Sequence, residues 1–157
     1  MSPLLLECQI FCDLGVTFDS KMCFNKHIDI ITARASSRLG MIKRWAKEFN
    51  DFQVTKSLYV SLVRSILEYN SSVWCPIYNC RVLSLESIQR RFSSFALQSL
   101  NWEDQSNIPN YEVRLLLLDL NTLDHRRTIQ NILFMTKILK GDLNCINLLS
   151  IIDINCP

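Results

Sequence analysis

The chain is poor in the residues from which phosphate loops, metal centres and membrane spans are built. Among 157 residues there are three glycines and two histidines, and no glycine sits in a phosphate-cradling loop or in an elbow around a nucleophilic serine. Seven cysteines, at positions 8, 12, 23, 75, 80, 145 and 156, form no CxxC pair. An odd count without a recognisable export signal points to reduced thiols. Grouping Cys8 and Cys12 with Cys75 and Cys80 as a zinc knuckle fails on spacing, and neither His27 nor His125 adjoins either pair. No uninterrupted apolar run exceeds four residues, as at Leu115 to Leu118, whereas a bilayer-spanning helix needs roughly 20. The start, MSPLLLECQIF, has no basic leader, and Glu7 interrupts its leucines. An intracellular chain, cytoplasmic or nuclear, with no membrane partner is expected. A charge excess is missing too: 17 basic against 15 acidic residues leave a net charge of +2, so any polyanion surface has to come from local clustering.

What is present is apolar material enough for a core. With 48% hydrophobic and 20% charged residues, a chain of this length can fold as a domain. Leu14, Val16 and Phe18 alternate with Gly15, Thr17 and Asp19, the period of a half-buried strand. Gly15 offers close approach to the main chain. From Asn25 the period changes. Ile28, Ile31, Ala35, Leu39, Ile42, Ala46 and Phe49 recur at three and four and predict one long helix. Asn50 is expected to cap the next helix, with Gln53 reaching back and Phe49 and Val54 flanking the cap. In that helix Val54, Leu58, Leu62 and Ile66 share one face and Tyr59, Val63 and Leu67 a neighbouring one, with Arg64 and Glu68 a turn apart. A third helix is expected from Ser84, a loop over 101–110, and two more helices over 111–118 and 122–140, with Gly141 just past the stop. The fold class is mainly α with a short extended piece in front.

The carboxylates do not make a catalytic set. Polymerisation requires two or three converging on metal ions, and Asp13, Asp19, Glu103 and Asp104 are scattered over a strand and a loop. Cations offer more. Lys26, Arg34, Arg38, Lys43, Arg44 and Lys47 lie on the first long helix with only Asp29 and Glu48 against them. Such a rod can follow a phosphate backbone, with Trp45 on a sugar or base, or it can simply solvate the outer side of an amphipathic helix. The doublets Arg90–Arg91 and Arg126–Arg127 read as structural, and Tyr69, Trp74 and Trp102 as core or loop anchors.

Several phrases carry a resemblance. DLGVTFD at 13–19, FNKHI at 24–28, SLVRSILEYNSSVWCP at 61–76, LESIQRRF at 85–92 and LDHRRTIQNILFMTKILKG at 123–141 resemble, in order and spacing, the region after the catalytic palm in reverse transcriptases of non-LTR retrotransposons, especially jockey-like elements of insects. The resemblance covers the chain from Asp13 to about Gly141. It implies a palm-edge remnant over 1–24, a thumb-like helical bundle over 25–100, the loop 101–110, and a post-thumb helical region over 111–157. It assigns Leu14 and Gly15 to a primer-grip hairpin, and the cations of the first helix to a template–primer duplex held by shape and backbone. The family's paired aspartates are absent, so the chain is expected to be non-catalytic and without a cofactor of its own, the parent polymerase being the magnesium enzyme. Its expected partners are template–primer nucleic acid, bound weakly and without sequence preference, and the palm of the parent polymerase. Relative to the family, the chain reads as a partial copy at both ends. The reading from a different class is a helical protein-interaction module.

Overall fold

The computed structural model describes residues 10–49, 51–99 and 109–143. It is mainly helical, with a two-stranded antiparallel hairpin in front. Strands β1 (Phe11–Asp13) and β2 (Val16–Phe18) pair Phe11 with Phe18 and Asp13 with Val16. Leu14 and Gly15 are the two-residue turn between them, both at positive φ, 44° and 82°, as a type I′ connection requires. Leu14 is therefore not a strand residue. It stands 77% exposed at the tip while Val16 is fully buried, so the expected alternation from Leu14 to Phe18 fails at its first residue, and in β2 Thr17 and Phe18 are both half-buried after Val16. Phe11 and Phe18 stack across the strands at 4.9 Å. Beyond the hairpin, the Asp19 carboxylate accepts hydrogen bonds from the Lys21 and Cys23 N–H groups and thereby shapes the turn into the first helix.

Helix α1 (Asn25–Phe49) buries His27, Ile28, Ile31, Ala35, Leu39, Ile42 and Ala46, the expected stripe with Phe49 left exposed at its end. It packs on α2 (Phe52–Tyr59), on a π-helical turn (Val60–Arg64), on α3 (Ser65–Glu68) and on α4 (Asn79–Ser99). Asn50 lies outside the described residues. The cap of α2 is Asp51, whose carboxylate accepts from Gln53 N–H at 2.7 Å; Val54 is exposed rather than stapled.

The buried residues from α2 to α3 are Thr55, Tyr59, Val63 and Leu67, with Leu58, Leu62 and Ile66 half-buried beside them. A strict repeat of four drifts about 40° per step around an α-helix. The wider π turn in the middle takes up that drift, which keeps all four side chains buried on the inward side.

Helix α4 begins at Asn79, five residues before the expected start; Ser84 is inside it and its carbonyl accepts from Ser87 Oγ. The α1 and α4 starts are joined by Arg81, which donates to Asn25 Oδ1 at 3.0 Å and pairs with Asp29. Helices α5 (Tyr111–Leu117) and α6 (Leu123–Leu139) start at side-chain caps from Asn110 and Thr122. After α6, Asp142 N–H bonds to Lys137 C=O and Gly141 N–H to Ile138 C=O, the paired bonds of a Schellman stop with Gly141 at φ 80°. Its position matches the sequence expectation.

The core runs through Ile28, Leu39, Tyr59, Leu67, Trp74, Ile88, Phe92, Leu115 and Leu123. One expected pair is replaced. Glu68 is held not by Arg64 but by Arg126 of α6, in a fork of 2.5 and 3.0 Å. That bond raises the Arg126 pKa, while burial, and then the charge of Arg126, lower that of Arg64. Arg127 is buried, so this doublet is structural. No helix among the described residues is long and apolar enough to cross a membrane.

Candidate nucleic-acid interface

The hairpin tip and one flank of α1 face α3 across an open cleft of about 1070 Å³ lined by Leu14, Gly15, His27, Arg34, Arg38 and Tyr69, among others. Helical phase brings the arginines there. Arg34 and Arg38 are four apart, hence neighbours on one face; both are exposed and neither makes an ion pair among the described residues. Their charge is uncompensated. Ser37 and Ser65 line the same cleft, the Ser65 hydroxyl donating back to the Ser61 carbonyl.

The tip is fixed over this cleft by two bonds. Tyr69 Oη donates to the Leu14 carbonyl at 3.2 Å, and Thr17 N–H donates to His27 Nδ1 at 3.2 Å. Gly15 is needed for its backbone angle and not for space. A Cβ there would meet Tyr69 Cε1 at an ordinary 3.6 Å, but φ +82° is strained for any L side chain. Close main-chain approach is thus not what selects glycine at this position.

His27 is 2% exposed and packs edge-on to Trp74 with ring centroids 5.1 Å apart. Because Nδ1 accepts a hydrogen bond, the neutral ring carries its proton on Nε2. Burial, and then the nearby Arg34 charge, lower its pKa below the ordinary 6.5. A lowered pKa for a base means that the unfolded chain binds the proton more readily. His27 therefore contributes stability present above pH 6.5 and lost as pH falls through the folded-state value. Between pH 7 and 5 the wild type should lose more of its melting temperature than His27→Asn, whose Oδ1 can still accept from Thr17 but cannot titrate. Equal slopes in the two would remove His27 from the acid response.

The remaining sequence-derived cations are elsewhere. Lys26, Arg44 and Lys47 are exposed on other sides of α1. Lys43 turns to α4, half-buried, with Nζ 5.3 Å from the centre of the Phe95 ring. At 100° per residue, Lys43 is roughly 140° around the helix from Arg38. The six cations therefore do not form one stripe: Arg34 and Arg38 lie on one flank, Lys43 and Lys47 on the other, and Lys26 and Arg44 on the outward face between them. Sequence reasoning missed the cleft's Tyr69–Leu14 bond, which joins residues 55 apart and leaves no local signal.

Comparison of the chain with protein-family models, with curated proteins and with solved structures returned no match.

Proposed function

We propose that this chain is a non-catalytic, thumb-like part of a non-LTR retrotransposon reverse transcriptase, and that it holds nucleic-acid duplex by its backbone in the cleft beneath the hairpin. The observation that carries this reading is that Leu14 and Gly15, given by the resemblance to the primer end, share one open cleft with Arg34 and Arg38, given by the same resemblance to the duplex. Two uncompensated guanidiniums four residues apart can each fork onto a phosphate oxygen pair. The Ser37 hydroxyl adds a neutral donor, which positions a backbone without reading sequence. The parent polymerase would take its magnesium ions on the palm.

The test is duplex affinity as a function of salt. Arg34→Gln with Arg38→Gln should weaken binding about equally for unrelated DNA duplexes and for RNA–DNA hybrids. On DNA the pair should flatten the slope of log K against log salt by about 0.9 for each phosphate contact removed. An unchanged slope in a folded double variant would refute the cleft as the binding surface.

A second reading, a protein-interaction module, is supported by the outer sides of α5 and α6. Leu116 is 80% exposed, and Ile132, Leu133 and Leu139 are each more than half exposed. Apolar area of this kind marks association surfaces, with the parent palm as one candidate partner. Docking through it would persist in salt that abolishes phosphate binding.

A further inference from the structure

On the other flank of α1, two helices bring three cations to one shallow depression of about 340 Å³. Lys43 of α1 and Arg90 and Arg91 of α4 line it with Ser94 and Phe95, and a fourth cation, Arg114 of α5, lies beside it and donates to Ser94 Oγ. Each of these charges is held by a neutral group. Arg91 donates to Ser36 Oγ at 2.8 Å. Arg90 lies over the Tyr111 ring at 4.7 Å and Arg114 over the same ring at 5.6 Å. Lys43 lies over Phe95. None of the four makes an ion pair with a carboxylate among the described residues. Glu86, beneath Tyr111, is turned inward, where it accepts from Tyr111 Oη and Leu123 N–H.

This arrangement differs from an ordinary solvated charge run. Hydroxyls and rings fix where the cations sit without cancelling their charge, so the groups repel one another in the free protein. Lys43 registers that: burial, and next the charge of Arg91, lower its pKa. Arg114 Nε is buried without a hydrogen-bond partner among the described residues. An anion seated in the depression would relieve the repulsion and meet guanidiniums already oriented by their tethers, so little side-chain entropy remains to be lost. Nothing deep or apolar enough to take a small organic ligand is present in the seam; its chemistry suits phosphate oxygens presented along a strand.

We propose that the α1–α4–α5 seam is a second phosphate-binding surface that takes the backbone of a nucleic-acid strand on the flank of α1 opposite the cleft. It rests on the nucleic-acid reading above but uses different residues, so the two can fail separately. The experiment titrates the full chain with a labelled DNA duplex across a salt series, comparing wild type, Lys43→Gln/Arg91→Gln, and Arg34→Gln/Arg38→Gln. If the seam pair does not fold, Lys43→Gln alone takes its place.

The seam variant is expected to bind several-fold more weakly, with a salt slope lower by about 0.9 per lost contact, and combining it with the cleft variant should lower the slope by the sum. A seam variant indistinguishable from wild type while the cleft variant weakens overturns the seam and leaves the cleft standing. If neither variant changes binding, both readings fall. A parallel arm uses a polyglutamate peptide as probe; seam-dependent binding of that peptide without seam-dependent binding of duplex would show an acidic protein partner instead and overturn the proposal.

Discussion

Trp74→Ala is expected to cost about 3–5 kcal/mol, the range for deleting a large buried aromatic. Domains of this size are stable by about 5–15 kcal/mol, so the variant would be marginal or unfolded. Two losses combine at this position. The indole is fully buried in the core, and its Nε1 donates to the Tyr69 carbonyl at 2.8 Å. Tyr69 in turn holds the hairpin tip through Leu14, and the Trp74 ring backs His27, which holds β2. Removing the indole thus withdraws support from both bonds that fix the tip over the cleft. Trp74→Phe keeps most of the ring and should be far milder, leaving chiefly an unpaired carbonyl worth about 1–3 kcal/mol if it stays dry. Urea unfolding of the three proteins measures the order. A Trp74→Ala loss below about 1 kcal/mol would mean that the site collapses around the deletion and that the indole is not central.

Gln89→Leu should be the next most damaging change, although leucine is close in volume. Gln89 is fully buried at the crossing of α2, α4 and α5. Its Oε1 accepts from Tyr59 Oη at 2.9 Å, and its Nε2 donates to the Asn121 carbonyl at 2.9 Å and to Tyr111 Oη at 3.2 Å. Leucine would strand a buried hydroxyl and a carbonyl, at about 1–3 kcal/mol for each group left unsatisfied. Tyr59→Phe removes one partner while keeping the ring stacked on Phe92 at 3.8 Å, so it should cost less. The Tyr59→Phe/Gln89→Leu pair should cost less than the sum of the singles, because the second change removes the group that the first one strands. Strict additivity would show that the bond contributes nothing.

The same network sets an alkaline limit. Burial, then the neighbouring Tyr111 and Glu86, push the Tyr59 phenol up, and burial with the Glu86 bond pushes Tyr111 up. A raised acid pKa in the folded state gives stability that is complete below the unfolded value near 10 and is lost as pH rises beyond it. Tyr59→Phe should shift that alkaline transition upward by removing one of the two groups.

What could be read from the sequence was what repeats locally. The α1 stripe from Ile28 to Ala46 is written in period and appears as expected, as do the break at Asp119 to Asn121 and the stop at Gly141, because caps and left-handed turns are short-range chemistry. The cap of α2 was displaced by one residue because Asn50 and Asp51 are both competent acceptors. Partner choice was not legible. Arg64 is the local candidate for Glu68, yet Arg126 takes it from 58 residues away with two bonds where Arg64 offers none. The basic residues of α1 were found, but which of them reach the cleft or the seam, as Arg34, Arg38 and Lys43 do, depends on what packs beside each flank. Ser36, Phe95 and Tyr111 carried no charge to announce that they would hold the seam's cations.

The π turn at Val60–Arg64 bears on how this chain is to be compared with others. Thr55, Tyr59, Val63 and Leu67 face inward at a spacing of four, four and four. A relative with one residue fewer between Tyr59 and Val63 would have four, three and four, the inward pattern of an unbroken α-helix. The same side chains would then meet the same neighbours with no extra residue to accommodate. Exposed Ser61, whose hydroxyl only bonds back to the Ser57 and Leu58 carbonyls, is the position such a sequence would dispense with. An alignment through this segment therefore has to open a single-residue gap in mid-helix, where gaps are ordinarily penalised most, or it sets every inward position after Tyr59 against an outward one.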